Sequence, residues 1–275
     1  MPELPEVETV KNSLNDLIIG KVIKSVVVNY PRIIQNVNIS EFIDSLVGEE
    51  IKEVKRVGKY LVFILSNKIM LSHLRMEGKY FLKDNVNDAT KHDHILFNFT
   101  DNTTLMYNDT RKFGVIYLFN TNDFEYVKTI EPLSKLGIEP ISGFLTTEYL
   151  KEKVGKLHKP VKEVLLDQTI ISGLGNIYAD EVLFMAKIHP EKESCTLTDL
   201  DYNNIIESST IVLNKAIALG GTTIKSFMSS HAITGRFQNE LLVHTKEECP
   251  VCKTKILKIR VGGRGTYFCP TCQKL

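Results

Sequence analysis

No apolar run among the 275 residues approaches the roughly 20 that a membrane-spanning helix needs. The opening also lacks the basic-then-apolar layout of a secretory signal. No membrane span is expected, and the cytoplasm is the expected compartment. Cysteine is scarce: five are present, and four of them fall within residues 249–275, which suits a reducing compartment and a metal better than a disulfide framework. Net charge is almost missing too. The chain carries 34 Lys and Arg against 33 Asp and Glu, so composition alone does not mark a nucleic-acid binder. Neither an internal repeat nor a low-complexity tract occurs.

Core residues are also short in the opening stretch MPELPEVETV, whose first nine residues hold two prolines and three glutamates. The chain as a whole is 43 % hydrophobic and long enough for a full core and two domains. Charge that cancels overall is uneven locally. Residues 241–275 carry seven Lys and Arg against two Glu, a net +5.

From Glu3 to Ile18, apolar residues at Val7, Val10, Leu14, Leu17 and Ile18 follow one face of a helix. From Lys21 to Phe119 the texture changes to short β-branched and aromatic runs: VIKSVVV, IKEVKRV, YLVFIL, IMLSHL, HILFNFT, TTLMY and VIYLF. Gly, Asn and Asp separate them, which predicts a β-sandwich or barrel. EPLSKLGIEPISG is rich in Pro and Gly and marks a domain boundary. Beyond it TTEYLKEKV, KPVKEVLLDQ, NIYADEVLFMAKI and DYNNIIESSTIVLNKAIAL predict a helix-rich second domain. The expected division is 1–131 for the first domain, 132–147 for a linker, 148–238 for a helical domain and 239–275 for a terminal module.

Cys249-Pro-Val-Cys252 and Cys269-Pro-Thr-Cys272 are two CxxC pairs separated by sixteen residues. Each pair offers two thiolates from a tight turn, and two facing turns close a tetrahedral shell, so the spacing predicts one structural Zn2+ rather than four ordinary thiols. Cys195 stands alone and reads as a small core or surface residue. Between the pairs, KIRVGGRGTYF predicts a Gly-rich hairpin with Arg264 at its tip, suited to reach nucleic acid or to form a solvated turn.

SGLGNIYADE places Asn176 where it could cap a helix. This is either a helix-turn-helix that binds phosphate through backbone N–H groups or a plain connector. Among the strands, Lys59 follows a glycine, Met76 lies in SHLRMEGK, and Arg111 and Phe113 lie in NDTRKFGV; all look exposed on turns. Large apolar residues on turns fit wedges inserted between base pairs, although contacts beneath a loop are the commoner cause. His73, His92 and His94 fit phosphate, metal or structural roles.

In one order, PELPEVET, GKYL, SHLRMEG, KHDH, DTRKFG, GLGNIYADE, GGTT and GRGTYFCPTCQ span nearly the whole chain. The chain resembles the bacterial formamidopyrimidine-DNA glycosylase family. The resemblance implies an α+β multidomain fold: an N-terminal β-sandwich with a leading helix, a helix-two-turns-helix domain and a C-terminal zinc-finger β-hairpin. It implies a bifunctional glycosylase and lyase for oxidised purines in damaged double-stranded DNA, monomeric and with one structural zinc.

Residue by residue, the resemblance implies Pro2 as the amine nucleophile once Met1 is removed, Glu3 as general acid, and Glu6 as an aid to positioning. Lys59 and Arg264 would serve the later eliminations. Met76, Arg111 and Phe113 would fill the gap left by a flipped nucleotide, with further DNA contacts at His73, His92, Asn176 and a lysine, Lys156 or Lys159. GGTTIKSFMSSHAITGRFQ would close over the flipped base, with Arg236 where an aromatic is more usual. Two other readings are an endonuclease VIII-like enzyme for oxidised pyrimidines, whose start resembles PEGPE rather than PELPE, and a non-catalytic zinc-finger DNA-binding protein.

Overall fold

The computed structural model describes residues 1–84, 89–222 and 235–275. The described residues form two compact units, Met1–Pro2 with Glu6–Ser134, and Glu3–Pro5 with Lys135–Thr222 and Gly235–Leu275.

In the first unit the apolar stripe of the opening folds as predicted. Helix α1 (Leu4–Ile18) buries Val7, Val10, Leu14 and Ile18. Each fully buried side chain of this size contributes about 1.5–3 kcal/mol, so the stripe fixes the helix far more firmly than propensity does.

Eight strands follow: β1 (Ile23–Val28), β2 (Ile51–Val57), β3 (Tyr60–Leu65), β4 (Ile69–His73), β5 (Lys79–Lys83), β6 (Asp93–Phe99), β7 (Thr104–Asn108) and β8 (Val115–Phe119). They make two antiparallel four-stranded sheets, β1-β6-β7-β5 and β2-β3-β4-β8. Both sheets and α1 share one core, with Phe63, Tyr80, Phe97 and Ile116 inside it. The sandwich agrees with the alternating runs.

Strand β5 is an addition to the seven predicted runs, because lysines at both of its ends dilute the strand signal. Two short helices are additions as well. In α2 (Ile39–Leu46) the Asn38 side chain accepts from the Glu41 N–H, and in α3 (Phe124–Lys128) Asp123 accepts from Tyr126.

The second unit is helical. It contains α4 (Thr147–Val154), α5 (Val161–Leu166), α6 (Asn176–Met185) and α7 (Asp199–Ala218), and ends in a hairpin of β9 (Leu257–Val261) and β10 (Arg264–Phe268). Thr198 and Asp201 close a reciprocal capping box at the start of α7. Leu4, Val161, Leu165, Tyr178, Val182 and Leu213 lie in its buried core. Among the described residues no helix is long and apolar enough to cross a membrane.

Candidate functional site

In the first unit, two crossovers between the sheets run side by side. One joins β4 to β5 and carries Met76; the other joins β7 to β8 and carries Arg111 and Phe113. Gly78 N–H closes the first by donating to Leu74 O at 2.9 Å. Asp109 organises the second: its fully buried carboxylate accepts from the N–H groups of Arg111, Phe113 and Gly114, each at 2.9 Å.

The Thr110 hydroxyl ties the two crossovers together by donating to the Glu77 carboxylate. Beneath them the Tyr107 hydroxyl reaches so close that a Cβ at Gly114 would lie 1.6 Å from its oxygen and one at Gly78 2.5 Å. Only glycine fits at either position. The outcome is a rim on which Met76 is 37 % and Phe113 51 % exposed, with the Arg111 guanidinium 4.7 Å from the Phe113 ring centre.

Replacing Asp109 with Ala would leave three loop N–H groups without their charged acceptor. Urea denaturation should show a loss of about 3 kcal/mol, with partial recovery in Asp109→Asn. Unchanged stability in Asp109→Ala would contradict the role of this carboxylate.

Lys59 is not exposed as expected. It follows Gly58 at the β2–β3 turn, yet is only 4 % exposed. That turn is braced by a relay absent from the sequence reading. Glu8 of α1 accepts from Arg56 Nε at 2.7 Å, and Arg56 Nη1 donates to Gly58 O at 2.9 Å. Burial raises the Glu8 carboxyl, but the bonds from Lys11 and Arg56 outweigh it and hold the group below its ordinary range.

His73, at the end of β4, is a buried side chain. Its Nδ1 accepts from the Arg75 N–H at 3.0 Å, and burial, with Arg75 and Lys59 nearby, lowers it to about 3. The neutral ring, accepting at Nδ1, holds the turn that leads to Met76 and keeps its hydrogen on Nε2 as a donor. His94 is structural as well, with Nε2 2.7 Å from Asp109 O. His92 is partly exposed.

In the second unit the start of α6 overturns one expectation. Gly175, not Asn176, is the N-cap residue. The nearby N–H groups are taken by Glu3, which accepts from Gly175 at 2.8 Å, Ile177 at 3.0 Å and Tyr178 at 3.4 Å. These amides are therefore not free to bind phosphate. The helix end that attracts anions has recruited a carboxylate from residue 3 instead. The fit requires glycine, since a Cβ at Gly175 would lie 2.3 Å from Glu3 Cδ.

Asn176 donates from Nδ2 to Gly265 O at 2.9 Å, which ties α6 to the hairpin beside Arg264. Gly262 and Gly263, both with positive φ, form the hairpin turn, and Arg264 is exposed next to it.

A second tie runs through Lys162. The side chains of Lys162 and Asp180 are both 0 % exposed and pair at 2.6 Å. Lys162 Nζ also donates to Thr266 Oγ1 at 2.8 Å and Gly265 O at 3.3 Å, while Asp180 accepts from Tyr267 N–H at 3.2 Å and contacts His244 Nδ1 at 2.7 Å. Burial lowers Lys162 from its ordinary value, and Asp180, then Glu3, act in the opposite sense. Lys159, by contrast, is an exposed side chain. Lys162 and Asp180 each stand beside a glutamate, Glu163 and Glu181, in a helix pattern that looks like an ordinary charged face, and their partners lie far away in the sequence.

The sulfur atoms of Cys249, Cys252, Cys269 and Cys272 all lie within 4.8 Å of one another. Cys249 and Cys272 are 3.8 Å apart, and Cys252 and Cys269 3.4 Å, against the edge of about 3.8 Å set by tetrahedral Zn–S bonds of about 2.3 Å. Burial and the neighbouring sulfurs push the Cys272 thiol up to about 12, a penalty that a cation at the centre removes. The donor set fits one structural zinc. Residues 223–234, which include most of the expected base-covering loop, lie outside the described residues; Arg236 is exposed beyond them.

Three family models match in chain order. The formamidopyrimidine-DNA glycosylase N-terminal domain matches residues 1–116, its H2TH domain residues 136–228, and the zinc finger found in FPG and IleRS residues 246–275. The formamidopyrimidine-DNA glycosylase of Listeria innocua is 44 % identical over 276 residues, covering 100 % of both chains. That of Bacillus anthracis is 45 % identical over 276 residues, with 99 % of each covered. The solved complex of wild-type Lactococcus lactis Fpg (MutM) with DNA containing N7-benzyl-Fapy-dG aligns at a TM-score of 0.91 and 42 % identity, covering 100 % of both chains. The chain belongs to the formamidopyrimidine-DNA glycosylase family.

Proposed function

We propose that this chain is a DNA glycosylase and abasic-site lyase of base excision repair that removes oxidised and ring-opened purines from duplex DNA. The carrying observation is the buried Glu3 carboxylate. It immediately follows Pro2 and is locked to the start of α6 by three backbone donors. An acid and proline opening with no other purpose would not be enclosed in this way.

In the proposed reaction Met1 is removed and the neutral secondary amine of Pro2 attacks the anomeric carbon of the damaged nucleotide. The new C–N bond replaces the glycosidic bond, and the departing base takes up a proton in a step served by Glu3. The attacking nitrogen gives up its proton, the C1′–O4′ bond opens with a proton going to O4′, and the iminium so formed acidifies the adjacent sugar carbon. Lys59 removes that proton, the 3′ phosphate leaves by β-elimination and the 5′ phosphate by δ-elimination, with Arg264 holding phosphate.

Flipping the nucleotide costs a few kcal/mol, and Met76, Arg111 and Phe113 fill the space it leaves. His73, His92, Lys159 and Asn176 are the proposed further contacts to DNA. The same reading divides the chain at 1–131, 132–147, 148–238 and 239–275. It has one copy acting on DNA in the cytoplasm.

The test is incubation with duplex containing 8-oxoguanine opposite cytosine, or thymine glycol, followed by borohydride. A covalent adduct at Pro2, formed preferentially on the purine lesion, is expected. Preference for thymine glycol would move the chain to the pyrimidine branch, and binding with no adduct would make it a DNA-binding protein only.

Binding should also weaken as salt rises. Two phosphate contacts by Lys159 and Arg264 predict a log–log slope of about −2. A flat response would remove these residues from the interface.

A further inference from the structure

The zinc reading accounts for four of the five cysteines. The fifth, Cys195, belongs to a separate cluster with His158 and Glu193. We infer that His158, Glu193 and Cys195 form a second, surface zinc site that clips the segment before α5 to the segment after α6.

The distances match the ion. His158 Nδ1 lies 3.3 Å from Glu193 Oε2, and Cys195 Sγ lies 3.5 Å from each of them. Tetrahedral zinc, with Zn–N and Zn–O bonds of about 2.0–2.1 Å and a Zn–S bond of about 2.3 Å, sets a nitrogen–oxygen edge of about 3.3 Å and sulfur edges of about 3.5–3.6 Å. Three different donor types stand at the corners of one face of that tetrahedron. The fourth corner faces solvent, since His158 and Glu193 are exposed.

The backbone holds this face together without a metal. Cys195 N–H donates to Leu157 O at 3.0 Å and Ser194 N–H to Lys159 O at 2.9 Å, so bonds on both sides of His158 fix it opposite Cys195. The Ser194 hydroxyl adds a bond to Lys159 O at 2.7 Å. Little ordering is then left for metal binding to impose.

The donor set also selects the ion. Thiolate and imidazole favour zinc, whereas magnesium and calcium prefer all-oxygen shells. Loss of solvent and the neighbouring Glu193 carboxylate push the Cys195 thiol above its ordinary value. When a dication enters, the sulfur–metal bond replaces the S–H bond and the proton goes to solvent. The site is open and has three protein ligands, so it should exchange its ion readily, unlike the closed set of four cysteines.

The experiment titrates the zinc-loaded full chain with cobalt(II), whose thiolate complexes absorb in the near ultraviolet. One equivalent should bind with a thiolate-to-cobalt band, and added zinc should displace it. Cys195→Ser should abolish the band. His158→Ala and Glu193→Gln, which keep the backbone bonds of both segments, should each weaken cobalt binding at least about tenfold, because the loss of an outer partner alone costs that much. No band in the unmodified chain, or a band of full size in Cys195→Ser, would overturn the second site. Metal binding here does not depend on the proposed enzymatic activity.

Discussion

A chain that keeps any residue ahead of Pro2 should form no borohydride-trapped adduct with duplex carrying 8-oxoguanine, while still binding that duplex. Within a peptide bond the proline nitrogen has its lone pair delocalised into the carbonyl and is no nucleophile. As a free terminus it is an amine whose reference pKa, about 7.7–8.0, leaves a substantial neutral fraction near pH 7.5, far more than a lysine with its pKa near 10.4. The ring also restricts how the nitrogen can turn, so less freedom is lost in reaching the attack geometry. Blocking the terminus thus closes the covalent route rather than slowing it. Trapping should be read by gel shift of the adduct, and binding by retention of an abasic-site analogue. Adduct formation at the level of the unblocked chain would remove Pro2 from the mechanism.

Changing Cys269 to Ser should release the zinc, and with it most of the affinity for damaged DNA. Zinc in finger peptides supplies an apparent 10–16 kcal/mol, roughly. The core around the four cysteines is small, with Phe184, Val243 and Ile256 as its buried apolar members, and cannot replace that sum. Once the hairpin unfolds, Lys162 loses Thr266 Oγ1 and Gly265 O and keeps only Asp180, while Asn176 loses its acceptor. Arg264 is then no longer held near α6. Metal analysis should find no zinc at the four cysteines, and titration with an abasic-site duplex should show a large loss of affinity. Hydrogen exchange of the β-sandwich amides should stay slow. Normal binding by the zinc-free variant would contradict the dependence of the interface on the finger.

The sequence was most legible where one physical signal dominated. Val7 to Ile18 form a helical stripe because burial of one face decides the helix, and IKEVKRV, YLVFIL and VIYLF match β2, β3 and β8 residue for residue. The paired cysteines were equally plain, since two tight turns leave few ways to place four sulfurs. Strand β5 was hidden because its lysine ends are only half-buried and Tyr80 is its one fully buried side chain.

The candidate site was less legible wherever charge is buried. Lys59 appeared to be a turn residue in solvent, because nothing local announces that Glu8, 48 residues before Arg56, braces its turn. Asn176 appeared to be a cap because the acid that takes over the start of α6 comes from residue 3, and Lys162 and Asp180 look like stray charges until Thr266 is beside them. In each case the decisive partner is distant in the chain, so no window of neighbouring residues contains the reason.

That distance has a consequence for when the protein can work. The Glu3 carboxylate waits for Gly175 and Tyr178, which follow it by 172 and 175 residues. A chain made from its N-terminus exposes its proposed nucleophile early, but the acid beside it gains no fixed address until nearly two thirds of synthesis is past. Loop closure over so many residues comes late in folding as well. The hairpin that steadies Asn176 and Lys162 emerges later still. A half-made chain therefore carries the proposed nucleophile with its neighbouring Glu3 still unanchored, and only the longer chain can hold that carboxylate in place.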